Sequence, residues 1–290
     1  MREPRIAGRL LVIRHAEHTL AGPASCERSV ERVDIRQSQD GAWTASRDTL
    51  VIEAPLELRI GGQPMAVIMR TPGSDHELVR GLLFAEGIID CHEPLAGMHL
   101  PAGVPAELHG NVVELGIAPA TPVEPRSLVS SSSCGVCGKT AIAEMARPLT
   151  VCTSGLTVPA SVITGLPARL RAAQDVFAST GGLHAAAAFN GQGDILAVRE
   201  DVGRHNAVDK LVGWALAGGR VPGRDMVLCV SGRLGFEIVQ KAVAAGFPIV
   251  VAISAPSSLA VDLAERYRLT LCGFVRDQRF NIYSHPSRVS

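Results

Sequence analysis

The sequence has few aromatic residues and no excess charge of either sign. Only 4% of the 290 residues are Phe, Trp or Tyr, and 28 basic side chains balance 28 acidic ones, for a formal net charge of +0 at pH 7. Non-specific nucleic-acid binding depends on a basic field, and single-strand binding depends on aromatic side chains on which bases stack. The composition therefore argues against a nucleic-acid partner, while a local anion site stays compatible with it.

Long apolar runs and a regular cysteine framework are also missing. No run approaches the roughly 18 to 20 apolar residues that cross a bilayer, and the apolar stretch at 10–13 is too short for a secretory signal. Seven cysteines, an odd number without regular spacing, are untypical of a secreted disulfide scaffold. We therefore expect a cytoplasmic protein with no membrane partner, whose clustered thiols serve metal binding, redox work or sulfur chemistry.

What the sequence does contain is enough apolar residues to fill two cores. Hydrophobic residues make up 47% of the chain, and a prior of about 150 residues per domain suggests two domains. The Pro-rich stretch PATPVEPRS at 119–127 leads into four serines at 130–133 and cannot continue a helix or a central strand. We place the boundary there, between a small domain at 49–127 and a larger one at 128–290, with an extension of uncertain order at 1–48.

The small domain has the pattern of a hairpin followed by a helix and a strand. The strand-like runs DTLVIEAPLELRI and QPMAVIMR are joined by Gly61 and Gly62, which accept the positive φ of a tight turn. Ser74 and Glu77 have the spacing of a capping box, with Ser74 as N-cap, before the apolar-periodic ELVRGLLFAEGII. The sequence thus predicts a helix from this point, and NVVELGIA predicts a strand after it.

The larger domain alternates strands and helices. Predicted strands are LHAAAAF, DILAVR, MVLCVS, PIVVAIS and LTLCGFV, and predicted helices are about 203–216, FEIVQKAVAAG and SSLAVDLAERY. Strands that are continuously rich in Val, Ile and Leu are typical of a sheet covered on both faces. This order predicts an α/β fold with a largely parallel sheet and helices on its faces.

The segment CGVCGK at 134–139 carries the most informative chemistry, because two thiols lie three residues apart on a Gly-flanked, serine-led loop. A structural zinc site would need a second ligand pair, and the other cysteines are single. A thioredoxin-like dithiol would follow a strand, which four serines do not form. A zinc deaminase would carry a glutamate two residues after His184, where the sequence has alanine.

A persulfide carrier is the fourth interpretation of these thiols. In it a thiolate accepts sulfane sulfur, moves on a flexible loop and passes the sulfur to an acceptor, while Lys139 helps to hold the thiolate. Two incidental surface cysteines are the structural alternative, and the spacing alone decides little. Cys229 and Cys272 lie in apolar strands, where buried cysteine is the ordinary explanation.

Two further segments each begin a predicted helix. The first is REDVGRHNAVDKLVG at 199–213. Here Asp201 could be an N-cap and Lys210 a residue of a solvated face, and this structural interpretation is about as well supported as a catalytic one. The run SGR at 231–233 follows an apolar strand and opens a helix with Glu237 and Lys241, an arrangement suited to an anion. An ordinary strand-to-helix turn explains Gly232 equally well.

The last candidate segment follows the strand LTLCGFV directly. It places Phe274 and the guanidiniums of Arg276 and Arg279 at the carboxyl end of a predicted parallel strand, the edge where open α/β sheets bind ligands. Phe274 can stack on a base while the two arginines bind phosphates in bidentate fashion. A surface charge pair is the alternative interpretation.

Five motifs, taken together and in order, resemble the FdhD family, the accessory sulfurtransferases of formate dehydrogenase. They are SSSCGVCGK, TGGLHAAA, REDVGRHNAVDKLVG, SGRLGFEIVQKA and LCGFVRDQRFNIYSHP, within a match over about 49–286. The resemblance implies a sulfur carrier that takes persulfide sulfur from a cysteine desulfurase and delivers it to the molybdenum cofactor before that cofactor enters formate dehydrogenase. Cys134 would bear the persulfide and Cys137 would assist or resolve it.

The resemblance also implies the rest of the site and the fold. The bis(molybdopterin guanine dinucleotide) form of the cofactor would bind, as the client of the reaction, at Phe274, Val275, Arg276, Asp277, Gln278 and Arg279, and no permanently bound metal is expected. The C-terminal domain would be cytidine-deaminase-like, the N-terminal domain a small α/β roll, and the protein a homodimer. His184, Arg204 and His205 are candidates for the same pocket. A cofactor-binding chaperone with dispensable cysteines is the alternative function.

Overall fold

The structure, a computed structural model, describes residues 29–91, 97–116, 129–130 and 149–290. Its elements group into an exposed hairpin, a small sheet unit and a larger sheet unit. The strands are β1 (Val30–Gln39), β2 (Ala42–Val51), β3 (Ala54–Ile60), β4 (Gln63–Arg70), β5 (Met98–His99), β6 (Val112–Leu115), β7 (Val129–Ser130), β8 (His184–Phe189), β9 (Ile195–Asp201), β10 (Val227–Val230), β11 (Ile249–Ala252), β12 (Thr270–Arg276) and β13 (Arg279–Ser284). The helices are α1 (Asp75–Ala85), α2 (Ala160–Ala172), α3 (Asp175–Thr180), α4 (Arg204–Ala217), α5 (Phe236–Ala244) and α6 (Ser258–Arg266), with 3₁₀ turns at Ala106–Leu108 and Pro286–Arg288.

The small unit is a five-stranded sheet in the order β5-β6-β3-β4-β7, with α1 following β4. The predicted hairpin is confirmed as β3 and β4, which meet at a turn where Gly61 and Gly62 have φ of 57° and 77°. The predicted helix and the strand of NVVELGIA are confirmed as α1 and β6. The predicted domain boundary in the Pro-rich stretch lies outside the described residues.

The predicted capping box at the start of α1 is wrong. Ser74 has a left-handed backbone, with φ of 55°, and its side chain makes no capping hydrogen bond. The Glu77 carboxylate instead accepts a hydrogen bond of 2.6 Å from Nη2 of Arg199, which lies on β9 of the larger unit. A guanidinium distant in sequence thus binds the carboxylate that local spacing assigned to the helix end.

The hairpin of β1 and β2 was not predicted, because residues 1–48 show no sustained hydrophobic period. Its two strands pair with each other in a two-stranded sheet, from Val30 opposite Val51 to Gln39 opposite Ala42. Most of its side chains are exposed, including Trp43 near the tip at 66%. Although α3 lies against β2, most side chains of the hairpin are exposed, so its strands lack the alternation that marks a half-buried strand.

The larger unit is built on a six-stranded sheet in the order β13-β12-β11-β10-β8-β9. The α/β fold class is confirmed, and the predicted strands and helices are all present. The prediction of a largely parallel sheet is wrong: β10-β11 and β11-β12 are parallel, whereas β8-β9, β8-β10 and β12-β13 are antiparallel. Short connections fold β9 and β13 back as hairpins, and these form both edges of the sheet.

The larger hydrophobic core joins the two units across α1 and α4. It contains Leu56 and Leu58 of the small sheet together with Leu228 and Val250 of the larger one. A second core lies on the other face of the larger sheet, under α2. In the described part of the chain, no helix is long and apolar enough to span a membrane.

Two glycines allow α1 and α4 to cross at close range. A Cβ on Gly81 would lie 1.9 Å from the carbonyl oxygen of Asp209, and a Cβ on Gly213 would lie 1.9 Å from the carbonyl oxygen of Glu77. Each helix therefore has its one glycine, which lacks a side chain, against the backbone of the other. This reciprocal contact fixes the small unit against the helix that begins at the candidate site.

Candidate functional site

Three parallel strands of the larger sheet end at one edge, and three helices begin there. β10, β11 and β12 run in the same direction, α5 follows β10, α6 follows β11, and α4 follows β9. Asp201, the last residue of β9, pairs with His184, the first residue of β8. Helix starts carry partial positive charge on their unpaired N–H groups. This edge, which we term the carboxyl edge, is therefore suited to an anionic ligand.

The bulge in β12 presents Phe274 at the carboxyl edge. Between Gly273 and Arg276 the register with β13 shifts, and Phe274 has an uncommon positive φ of 53°. Its N–H donates to the carbonyl oxygen of Ser254, after β11, at 3.2 Å. The Phe274 side chain is 40% exposed, whereas the Val275 side chain is buried in the second core. The Phe274 ring is therefore available for stacking, and the Val275 side chain is not available to a ligand.

The turn from β12 to β13 brings two guanidinium-bearing residues opposite each other. Arg276 pairs with Arg279, and the intervening Asp277 and Gln278 have φ of 49° and 64°, as in a type I′ hairpin turn. All four side chains are exposed. Like charges directly opposite on paired strands repel each other. The pairing is compatible with both the binding interpretation, in which a phosphate offsets this repulsion, and the surface charge pair.

A second group of charged and polar side chains lies where β8, β10 and α4 meet. The Ser231 hydroxyl, just after β10, accepts a hydrogen bond of 2.9 Å from the Ala185 N–H. A Cβ built on Gly232 would lie 3.5 Å from Nδ1 of His184 and 3.6 Å from Cδ of Arg204. His184, Arg204 and the SGR run are therefore brought together, although they come from three separate motifs.

Both histidines of this group are neutral at pH 7. Burial, together with the positive charges of Lys241 and Arg204, lowers the pKa of His205 to about 3. Burial also lowers the pKa of His184, as does Arg204, while Asp201 opposes the change. Nε2 of His205 lies 3.3 Å from Oε2 of Glu237 on α5. Arg204, rather than an imidazolium, thus supplies positive charge here.

Beneath the carboxyl edge, the fully buried Asp201 holds four groups together. Its Oδ1 accepts hydrogen bonds from the Gly203 N–H at 2.8 Å and from Nδ2 of Asn206 at 2.9 Å. Its Oδ2 accepts one from the Thr71 N–H at 3.1 Å and lies 2.7 Å from Nζ of Lys210. The interpretations of Asp201 as an N-cap and of Lys210 as a solvated residue are both wrong. Gly203 is the N-cap of α4, and Lys210 is buried.

A second buried ion pair joins α4 to α5. Nζ of Lys241 lies 2.6 Å from Oδ1 of Asp209. Burial raises the pKa of Asp209 to about 6, against the lowering effect of Lys241. Burial tends to lower the pKa of Lys241, but Asp209, together with Glu86 and Glu237, raises that pKa overall. The sequence suggested Lys241 as part of an anion site, but in the structure Lys241 forms a buried ion pair with Asp209.

Cys134, Cys137 and Lys139 lie outside the described residues. The last described residue before them is Ser130, which pairs with Ile68 on β4. One residue further along β4, the carbonyl oxygen of Met69 accepts a hydrogen bond of 2.8 Å from Nδ2 of Asn206 on the first turn of α4. The chain therefore passes near the start of α4 four residues before Cys134. In the described part of the chain, no group of His, Cys, Asp and Glu could hold a metal ion.

The family model described as the FdhD/NarQ family matches residues 51–290. The chain belongs to the FdhD/NarQ family. It is 51% identical over 248 residues to a sulfur carrier protein FdhD of Nocardia farcinica, covering 84% of this chain and 88% of that protein. It is 46% identical over 272 residues to one of Streptomyces avermitilis, covering 91% and 96%.

A solved structure supports the same fold. A protein from Desulfotalea psychrophila, provisionally described as a formate dehydrogenase accessory protein, matches with a TM-score of 0.73 over 90% of this chain and 99% of that one, at 22% sequence identity. The FdhD/NarQ family match begins at Val51, so the β1-β2 hairpin lies almost wholly before it.

Sequence reasoning missed the part of this candidate site that comes from the small unit. Thr71 contributes its N–H to Asp201, its hydroxyl to the Val202 N–H at 3.2 Å, and its carbonyl oxygen to Nζ of Lys210 at 2.9 Å. Neighbouring Arg70, also buried, binds the Asp75 carboxylate with two nitrogens, at 3.0 and 2.9 Å. The signal that the sequence offered was Arg70, a basic residue at the end of an apolar strand. A basic residue that is buried there is rarely without partners, so polar contacts around it could have been expected.

Proposed function

We propose that this protein is a sulfurtransferase that supplies formate dehydrogenase with a sulfurated molybdenum cofactor. In this proposal Cys134 carries the persulfide, Cys137 assists its release, and the bis(molybdopterin guanine dinucleotide) substrate binds at the carboxyl edge. The curated relatives named sulfur carrier protein FdhD support the carrier role. The observation that carries the binding site is the meeting of Phe274, Arg276 and Arg279 with three helix starts at one edge.

The carboxyl edge suits a guanine dinucleotide in both charge and shape. The exposed Phe274 ring offers a face for the base, and Arg276 and Arg279 offer planar donors for a pyrophosphate. Arg204 lies next to His184 at the same edge and carries a positive charge, whereas burial lowers the pKa of His184 and disfavours its protonated form. The chain thus provides a stacking surface and cationic groups on neighbouring strands.

Two glycines support a ligand that approaches the backbone closely. A Cβ on Gly232 would make only ordinary contacts, and no described atom lies within 4 Å of a Cβ on Gly235, the N-cap of α5. Neither residue has a positive φ, so neither internal packing nor backbone conformation explains the glycine. Bare backbone at a helix start is the arrangement that phosphate-binding loops use.

The proposed transfer is a balanced exchange of sulfur between thiols. A cysteine desulfurase delivers sulfane sulfur to the Cys134 thiolate, so that a new S–S bond forms while the bond in the donor persulfide breaks and its thiolate leaves. The Cys137 thiolate then attacks the inner sulfur of this persulfide, a Cys134–Cys137 disulfide forms, and the outer sulfur leaves as sulfide with the electron pair. This sulfide replaces an oxygen ligand of molybdenum, and the displaced oxygen takes up two protons and leaves as water.

A dithiol reductant then returns Cys134 and Cys137 to thiols. We therefore propose that the protein acts in the reducing cytoplasm, where the four cysteines of the described residues, Cys91, Cys152, Cys229 and Cys272, are free. We further propose that it acts between a cysteine desulfurase and formate dehydrogenase, as a homodimer.

Intact mass spectrometry tests the carrier step. After incubation with a cysteine desulfurase and cysteine, the wild type, Cys137→Ala and Cys91→Ala should gain roughly 32 Da, one sulfur atom, removable by a thiol reductant. Cys134→Ala should gain nothing. Cys91 is the matched control because its thiol is free and exposed. No gain in either the wild type or Cys137→Ala, which cannot release the sulfur through Cys137, would favour the cofactor-binding chaperone instead when the desulfurase is active.

Titration with GDP, the nucleotide half of the proposed substrate, tests the binding step. We expect Arg276→Ala to weaken GDP binding about tenfold, because it removes one bidentate phosphate contact. The exposed Arg36 on β1 provides the control, and Arg36→Ala should bind GDP as the wild type does. Equal affinities for Arg276→Ala and the wild type would place the nucleotide elsewhere.

A further inference from the structure

Asp201 is buried, takes part in no step of the proposed transfer, and contacts both units of the protein. Its carboxylate has 0% exposure, and its partners are the Thr71 N–H of the small unit and Gly203, Asn206 and Lys210 of the larger unit. A buried carboxylate is costly unless every lone pair finds a donor. Four donors on two oxygens meet that requirement, so the arrangement is fully satisfied.

These contacts converge on the start of α4. The Gly203 N–H and the Asn206 side chain bracket Arg204 and His205 in sequence, and both bind Oδ1 of Asp201. The second Asn206 amide proton is used as well, because Nδ2 also donates to the Met69 carbonyl oxygen at 2.8 Å. The backbone that presents Arg204 is therefore fixed from both sides by one carboxylate and one amide.

The same carboxylate ties the small unit to the carboxyl edge. Thr71 binds Oδ2 of Asp201 through its N–H and holds the Val202 N–H through its hydroxyl at 3.2 Å. Lys210 donates to the carbonyl oxygens of Thr71, at 2.9 Å, and Glu200, at 3.2 Å. Asp201 is also opposite His184 in the β8-β9 ladder. Asp201 thus lies beside His184 on the sheet and three residues before Arg204, and with 0% exposure it does not face the ligand itself.

We infer that Asp201 is a positioning residue for nucleotide binding, which sets Arg204 and the first turn of α4 in place through Gly203, Asn206 and Thr71. This inference rests on the proposed binding site at the carboxyl edge. Its physical basis is that a ligand contact loses strength when its donor is free to move, since binding must then also order that donor.

The test separates positioning from stability by removing the whole buried ion pair. Asp201→Asn alone leaves Lys210 buried without a counter-charge, which is strongly destabilising. The double variant Asp201→Asn/Lys210→Met leaves no unpaired buried charge at this position, so its unfolding midpoint should recover. Its amide offers one acceptor oxygen where the carboxylate offers two, so the donors at the start of α4 and on Thr71 cannot all be satisfied. Titration with GDP, at a temperature where every variant is folded, should show about tenfold weaker binding than the wild type.

The buried pair that joins α4 to α5 provides a matched control. Asp209→Asn/Lys241→Met removes a buried carboxylate from α4, one to two turns beyond its start, together with its buried ammonium partner on α5. This variant should bind GDP with wild-type affinity at the same temperature. If both double variants weaken GDP binding equally, the effect is general loosening of α4 and the inference fails.

Asn206→Ala keeps the inference testable if the double variant does not fold. It leaves the Asp201 and Lys210 pair intact and removes only the amide that joins the start of α4 to Asp201 and Met69. We expect at least threefold weaker GDP binding with unchanged sulfur loading of Cys134, and wild-type affinity would overturn the inference.

The outcomes also distinguish this inference from the proposed function. If the wild type binds GDP and Arg276→Ala does not, but the Asp201→Asn/Lys210→Met protein binds like the wild type, then only the positioning role is wrong. If the wild type does not bind GDP, or Arg276→Ala binds equally well, the binding site itself is wrong and the inference falls with it.

Discussion

At the scale of single residues, buried ionisable side chains hold parts of the chain in position. Arg70, Asp201, Asp209, Lys210 and Lys241 are all buried, and each has a named partner of opposite charge. Such pairs add little net stability compared with apolar residues of similar volume, but breaking one leaves a costly orphan charge. Their value here is positional, because Lys241 joins α5 to Asp209 on α4, and Asp201 also binds the N–H of Thr71, which is distant in sequence.

His205 makes stability depend on pH with a defined sign. Its pKa is about 3 in the folded protein, against an ordinary value of 6.5. Below pH 6.5 the unfolded chain takes up a proton that the folded protein refuses, so the contribution of neutral His205 is complete above 6.5 and is lost as pH falls towards 3. Between pH 7 and pH 5 this loss is about 2 kcal/mol.

Chemical denaturation at pH 7 and pH 5 measures this loss. We expect His205→Gln to lose about 2 kcal/mol less stability than the wild type over that interval, since glutamine does not titrate. Asp209 acts in the opposite direction, because its raised pKa of about 6 lets the folded protein gain a proton first, but it contributes equally to both proteins. His76→Gln, on the exposed side of α1, serves as control. Equal losses in wild type and His205→Gln would contradict the prediction.

At the scale of elements, the crossing of α1 and α4 makes the sharpest demand on the sequence. We expect Gly81→Ala and Gly213→Ala each to destabilise the protein by about 3 kcal/mol, because a Cβ would meet backbone rather than a movable side chain. Gly165→Ala, within α2 and with no described atom within 4 Å of the Cβ position, should instead stabilise by about 0.5 kcal/mol. Thermal unfolding measures all three. A neutral effect at Gly81 and Gly213 would mean that the helices can separate at no cost.

Element prediction from the sequence succeeded where hydrophobic pattern decides the outcome. The continuous apolar runs of β8, β10, β11 and β12 and the periodic run of α5 were all identified. It failed where tertiary contacts decide. Glu77 binds Arg199 instead of capping α1, and both edges of the sheet are formed by antiparallel hairpins instead of parallel strands. Gly81 and Gly213 gave no signal, because a glycine inside a helical pattern does not say which backbone lies against it.

For the site, sequence reasoning identified the residues that we propose to face the ligand, but not the residues that support them. Phe274, Arg276 and Arg279 were identified because residues of these types at a strand end have few structural uses. Thr71 was not identified, because an ordinary threonine after a strand carries no local mark of a partner 130 residues away. Val275 was included from the family motif as a contiguous block, and alternation along the strand turns its side chain into the core.

For the whole molecule, the shared core predicts a single cooperative transition. Leu58 of the small unit and Leu228 of the larger unit belong to one buried cluster, so neither unit retains a complete core without the other. We expect far-UV circular dichroism and tryptophan fluorescence to give coincident urea unfolding curves. Trp43→Phe removes the exposed tryptophan of the hairpin and leaves Trp214, on α4, as the reporter. Two separated transitions would show that the units unfold independently.

The backbone-to-backbone contact of α1 and α4 also has a consequence for how the molecule opens. With no side chain between them, the helices leave no gap through which solvent reaches their amide groups without separating the two units. The Gly81 and Gly213 amide hydrogens therefore belong to the set that exchanges with deuterated water only when the entire fold opens. The exchange rates of these two amide hydrogens therefore measure the global free energy of unfolding.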